Sequence, residues 1–138
     1  MKNNIETVKS IYDAFGKGDV PGILEHLSEN VLWEPWEENY AQKAGVPWLL
    51  ERKGKDGVRE FFRIIGGFVF REFRVLSVMG GGNKVAAECL FDADIPTTGG
   101  HIKEDEIHLW TFDDHGKVIE YRHYCDTAKH IAAAKLNN

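Results

Sequence analysis

Residues Glu104–Lys135 read EDEIHLWTFDDHGKVIEYRHYCDTAKHIAAAK, and the fold turns on this stretch. Bulky and β-branched residues predominate from Glu106 to Phe112 and again from Val118 to Cys125. Only the turn cluster Asp113, Asp114, His115 and Gly116 separates the two runs, which is the pattern of a β-hairpin. Period 2 sends Glu106, His108, Trp110 and Phe112 to one face and Ile107, Leu109 and Thr111 to the other. Both faces are then largely apolar, so the hairpin belongs at the centre of a sheet covered on both sides. Titratable Glu106 and His108 share their face with Trp110 and Phe112, and ionisable groups among core aromatics point to a pocket.

Upstream, Ile5, Val8, Ile11, Tyr12 and Phe15 mark one face of a first helix, ended by Gly16 and Gly18. Asp19 is placed to cap a short second helix with Pro21 in its first turn. A turn is expected over Ser28–Asn30, followed by a short strand Val31–Trp33 that Pro35 stops, leaving Glu34 at its end. Residues 36–53 show no sustained period and read as a long loop, a lid or binding segment. Asp56 should cap a third helix bearing Val58, Phe61, Phe62 and Ile65. Strands are expected over Phe68–Met79 and Lys84–Ile95, and Asp126 should cap a peripheral C-terminal helix anchored by Ile131. Helices first and long antiparallel strands afterwards make an α+β layout.

A length of 138 residues suits one hydrophobic core and is short for two, so a single domain over 1–138 is expected. With 17 Lys plus Arg against 22 Asp plus Glu and no basic run, nucleic acid and anionic membranes are not expected partners. No stretch approaches the roughly 20 apolar residues of a membrane span, and MKNNIETVKS lacks a signal segment, which predicts a cytoplasmic chain. Cys89 and Cys125 have no metal-ligand spacing and read as reduced, buried thiols.

Three segments carry a resemblance that spans essentially the whole chain. They are Ser10-Ile11-Tyr12-Asp13-Ala14-Phe15 with Gly18-Asp19, then Asn30-Val31-Leu32-Trp33-Glu34-Pro35, and finally Trp110-Thr111-Phe112, Gly116-Lys117-Val118-Ile119 and Tyr121-Arg122-His123-Tyr124-Cys125-Asp126. In these the chain resembles the SnoaL-like and ketosteroid isomerase-like proteins of the nuclear transport factor 2-like superfamily. The resemblance implies a cone-shaped α+β barrel, three N-terminal helices packed on a strongly curved, mostly antiparallel sheet. It also implies a pocket for a small apolar molecule and a homodimer.

By the same resemblance, Glu34 stands where the steroid isomerases keep their aspartate base and Tyr12 where their tyrosine donates to the substrate oxyanion. His108 stands where they use an aspartic acid kept protonated by an apolar site. Glutamate can still act as a base and imidazole can still donate, so acid-base proton transfer remains the implied chemistry, with no cofactor. Isomerisation, cyclisation and dehydration all fit. His123 joins the three as a further candidate on the paired strand. Trp36, Phe62, Glu88, Asp92, Glu106, Trp110 and Tyr121 are the expected pocket walls. A local likeness to limonene epoxide hydrolases at Pro96–Gly99 does not extend to their Arg and Asp triad, whose places hold Glu88, Leu90 and His123.

Each candidate has a plainer reading. A buried tyrosine commonly just finds a partner for its hydroxyl, and a core histidine can be bonded to Tyr or Glu. Several histidines and carboxylates on one cavity could bind a divalent metal, yet no HExxH or close His pair supports that, and no metal is expected. The second functional class is a non-catalytic module that binds a small ligand or serves dimerisation. For dimerisation the expected surface is the outer face of the sheet, with Ile107, Leu109, Val118, Arg122 and Tyr124.

Overall fold

Asn3 accepts from the backbone N–H of Glu6 and so caps helix α1 (Asn4–Gly16), whose Val8 and Ile11 are buried as the spacing predicts. The structure is a computed structural model and describes residues 3–37 and 39–136. Asp19 caps α2 (Val20–Leu24) by accepting from Gly22, with Pro21 in its first turn. Strand β1 (Leu27–Trp33) begins earlier than expected, taking in Ser28–Asn30 instead of a turn there. Leu27, Val31 and Trp33 all need burial, and a register shift in the pairing of this strand absorbs the residues between them.

The segment after Pro35 is built rather than open. It forms α3 (Tyr40–Lys43), a 3-10 turn (Pro47–Leu49) and the two-residue strand β2 (Arg52–Lys53), and it buries Ala41, Val46, Trp48 and Leu49. Apolar residues without a period had hidden a plug. Helix α4 (Gly54–Ile65) buries Val58, Phe61 and Ile65, but Lys53 holds its cap position and Asp56 sits inside the first turn, paired with Arg59. An acidic group there still favours the helix dipole, which is why it resembled a cap.

Four long strands follow: β3 (Val69–Gly81), β4 (Lys84–Ile95), β5 (Gly100–Phe112) and β6 (Val118–Tyr124). The sheet order is β2-β1-β6-β5-β4-β3, antiparallel throughout except for the parallel pair β1–β6. Curved and covered by helices, this mixed sheet is the cone-like α+β fold that the sequence led us to expect. Among the described residues no helix is long and apolar enough to cross a membrane. Both cysteines are free; Cys89 is buried and Cys125, just past β6, is half-buried.

Strand parity decides what faces the interior. On β5 it is Ile102, Glu104, Glu106, His108, Trp110 and Phe112; on β6, Tyr121 and His123. On β4 the small residues Ala87, Cys89 and Ala93 point inward with Val85, Phe91 and Ile95. Glu88 and Asp92 therefore lie on the outer face, opposite Ile107 and Lys103, where Ser77 donates to Glu88 and His101 lies 3.0 Å from Asp92. Neither is a pocket wall. Val118, expected outside, is fully buried, because a register shift at Thr111/Phe112 reverses parity at the start of β6.

Helix α5 (Thr127–Ala134), capped by Asp126, is not peripheral. It buries His130 and Ala133 against the sheet. Gly100 permits the approach, since a Cβ built there would meet the Ala133 carbonyl oxygen at 2.3 Å. Each buried Val, Leu, Ile or Phe of this core contributes about 1.5–3 kcal/mol. That surplus carries an interior which also encloses Glu34, Glu104, Glu106, His108, His123 and His130.

Candidate active site

Glu106, His108, His123 and His130 line the floor of an aromatic cavity, with Glu34 and Glu104 bonded to them from behind. The cavity measures about 80 Å³, with Phe61, Phe62, Phe70, Phe73, Phe91, Trp33, Trp48 and Trp110 among its walls. Tyr12, Phe15, Ile23, Phe62, Phe70 and Phe73 also line an outer cleft of about 750 Å³, so the cavity continues into a wide mouth beside α1. Of the expected residues, Tyr12, His108, His123, Phe62, Glu106, Trp110 and Tyr121 border the cavity. Trp36 does not: its ring lies under the Arg122 guanidinium at 4.9 Å and edge-on to Tyr124, on the outer side of the sheet. Pro35 turns the chain away directly after Glu34, which is why adjacent tryptophans at 33 and 36 part company.

Glu106 is the hub. Its Oε1 lies 3.0 Å from His108 Nε2, and its Oε2 lies 3.7 Å from His123 Nε2 and 3.6 Å from His130 Nε2. Burial opposes the charge, but His123 first, then His108 and His130, hold this carboxyl well below the usual range. As a carboxylate it can only accept, so His108 presents Nε2–H to it. His108 Nδ1 then accepts the Tyr12 hydroxyl proton at 2.6 Å, and the Tyr12 oxygen accepts the Trp110 indole N–H at 3.1 Å. Burial, with Cys89 next, lifts the Tyr12 hydroxyl well above the ordinary phenol range. Below it, burial pushes the Cys89 thiol up to about 12, which leaves it inert.

Glu34 stands behind His123 rather than in the cavity. Its Oε1 accepts from the His123 backbone N–H at 2.6 Å and its Oε2 faces His123 Nδ1 at 2.9 Å. The side chain reaches that position from a backbone with φ of +60°, a left-handed conformation that costs a non-glycine residue about 1–3 kcal/mol. Gln42 donates to its carbonyl at 2.9 Å and its own N–H donates to Tyr121 O at 2.8 Å, which hold the strained residue in place. Burial lowers the His123 pKa, but Glu34 and then Glu106 outweigh it and hold this imidazole well above its ordinary range.

His130, Glu104 and Trp48 complete the floor and were not anticipated. The Trp48 indole lies 2.9 Å from His130 Nδ1, Glu104 Oε1 is hydrogen-bonded to His130 Nε2, and Glu104 Oε2 accepts from the Asp126 N–H at 3.0 Å. An indole can only donate, so the His130 proton resides on Nε2, facing Glu104. Cys125, Glu104 and Glu106 draw the His130 pKa upward against burial, and forming the cation would break the Trp48 bond. The available signal was the lone histidine in an alanine-rich helix, a helix slim enough to lie close on a sheet.

Metal-ligand atoms of His123, Cys125 and His130, and of Glu104, Glu106 and His130, lie within 4.8 Å of one another. An ion bound through His130 Nε2 would have to displace the proton shared with Glu104.

The fold places this polar floor under aromatic walls inside an α+β cone. The chain belongs to the SnoaL-like domain family, which matches residues 8–121. Among solved structures it is similar to a nuclear transport factor 2-like protein of unknown function from Burkholderia pseudomallei, with 25% identity, TM-score 0.77, and 97% of this chain and 98% of that one covered. It is also similar to TerC, crystallised with polyporic acid, at 22% identity and TM-score 0.74 over 95% and 97% of the two chains. A protein from Pseudomonas putida, provisionally described as a polyketide cyclase, shares 18% identity and TM-score 0.73 over 96% and 98%. No curated protein matches the chain.

Proposed function

We propose that this chain, as one domain over 1–138, is an acid-base enzyme acting on an apolar carbonyl compound, with His123 as the group that carries the proton. One observation bears the reading: an imidazole on the cavity floor is faced by a carboxylate at each nitrogen, Glu34 at Nδ1 and Glu106 at Nε2. Such a group enters the cycle as an acid, giving its Nε2 proton to the carbonyl oxygen. The neutral imidazole then takes back a proton from the adjacent carbon, so the step balances as a proton shift. Glu34 is a positioning residue, acting through His123. Isomerisation, cyclisation and dehydration share this step, and the aromatic walls suit a flat apolar substrate. The related protein described as a polyketide cyclase and the relative crystallised with polyporic acid agree with small-molecule chemistry.

The expected result of an NMR titration is that His123 loses its proton only well above the roughly 6.5 of a free imidazole. Its folded pKa is raised, so the stability it adds is fully present below about 6.5 and is lost only as pH rises through the folded value. Turnover of at least one β-keto acid, enone or polyketide-like ring precursor should follow the same ionisation. Binding without turnover across that panel, with His123 titrating like a model peptide, favours the second reading, a ligand-binding module.

We further propose that two copies pair through the outer sheet face. Leu76 is 46% exposed, Met79 54% and Tyr124 45%, and Ile107 and Leu109 lie on the same side. Contiguous apolar surface of this kind favours an isologous partner. Sedimentation at micromolar concentration should give a dimer mass, and a monomer there would refute the pairing.

A further inference from the structure

We propose that the Tyr121 hydroxyl is the hydrogen-bond donor that receives the ligand's carbonyl oxygen, a subsite inside the cavity distinct from Tyr12. The inference rests on the reading of this cavity as a site for an apolar carbonyl compound.

Two phenols border the cavity, and their protons are differently placed. The Tyr12 oxygen accepts from Trp110, and its single proton goes to His108 Nδ1, which is left as an acceptor because His108 donates through Nε2 to Glu106. A phenol has one proton to give, so Tyr12 has none left for a ligand. Tyr121 makes no hydrogen bond through its hydroxyl among the described residues. Its oxygen is also not among the polar atoms sealed without a partner, such as Trp33 Nε1, so the surface it retains is surface of the cavity it lines. The residue as a whole is 5% exposed. A hydroxyl open to the cavity and without a protein partner keeps its proton available for a ligand oxygen.

The ring is held firmly. Tyr121 stacks on Trp33 with centroids 4.1 Å apart, lies 4.5 Å from Trp110 and meets His108 edge-on at 5.6 Å. On β6 it is two residues before His123, on the same face, and the two rings stack with centroids 6.3 Å apart. Burial, and then Glu34, Tyr12 and Glu106, keep the hydroxyl protonated far above the ordinary phenol range, so it serves as a donor and never as a base.

The test compares acetophenone, which presents a carbonyl, with ethylbenzene, which has nearly the same shape and no oxygen. Tyr121→Phe removes only the hydroxyl and keeps the stacked ring. It should weaken acetophenone about 5-fold to 10-fold, the worth of one hydrogen bond, and leave ethylbenzene unchanged. The infrared carbonyl band of bound acetophenone should lie lower in the wild type than in Tyr121→Phe. Tyr40→Phe, at an exposed position outside the cavity, should change neither probe. Equal weakening of both probes would mean that Tyr121 acts by packing alone and overturns the inference, as would acetophenone binding equally to both proteins with the same band. If neither probe binds the wild type, the cavity reading fails and this inference with it.

Discussion

Glu34→Gln should lower turnover by about 100-fold or more and destabilise the fold by about 3 kcal/mol, the order found when one partner of a buried ion pair is removed. Both carboxylate oxygens accept from His123, one from the backbone N–H and one from Nδ1. A glutamine supplies one accepting oxygen, so its amide N–H₂ must confront a second donor in a place where Glu34 is 2% exposed. The lost charge also removes the largest influence raising the His123 pKa, which should fall when titrated by NMR. Paired with His123→Gln in a double-mutant cycle, the two losses should be far from additive. Additive effects, with turnover unimpaired in Glu34→Gln, would refute the coupling and leave His108 to carry the proton.

Gly100→Ala should cost about 3 kcal/mol although it adds a single methyl group, because overpacking by itself costs about 1–3 kcal/mol and a hydrogen bond is lost with it. The new Cβ would fall 2.3 Å from the Ala133 carbonyl oxygen and 2.8 Å from the Ala133 Cα, backbone atoms that yield only if α5 moves as a body. Moving α5 breaks the bond from Thr98 Oγ1 to that carbonyl and carries His130 away from Glu104. Urea unfolding should show the loss, and Trp48 fluorescence should change as its His130 partner leaves. Gly81→Ala, with nothing within 4 Å of the new Cβ, should stay within about 0.5 kcal/mol. Equal stability of the two variants would show that α5 is not packed as described.

Much of the fold was legible because period and turn chemistry act locally. The hairpin Glu106–Cys125, the helix stop at Gly16 and the Asp19 and Asp126 caps needed no tertiary information. The failures fall where local signals tie. On β4, Ala87, Cys89 and Ala93 are too small to announce an inward face while Leu90 stands outside, so Glu88 and Asp92 could be assigned to the wrong side. Val118 was misplaced by a bulge, which leaves no mark in a period-2 pattern. Within the site, period 2 puts His108 and Glu106 on one face and helix spacing turns Tyr12 toward the core, but the direction of Glu34 depends on a single left-handed residue before Pro35. Sequence named it as the proton acceptor; the structure turns its carboxylate onto His123. His130 was missed because its helix offers almost no apolar stripe, its burial coming from the glycine it lies against.

The parallel pairing of β1 with β6 bears on the order of assembly. Strands β3 to β6 are successive antiparallel neighbours and can zip from turn to turn, whereas Glu34 and His123 are 89 residues apart in the chain. Closing a loop of that length costs on the order of 4 kcal/mol in chain entropy before any contact offsets it. The meander therefore gains its contacts early, and β1 docks against the exposed edge of β6 late. Until it does, His123 and Glu106 remain wet, and only the last strand to arrive converts a folded meander into a competent site.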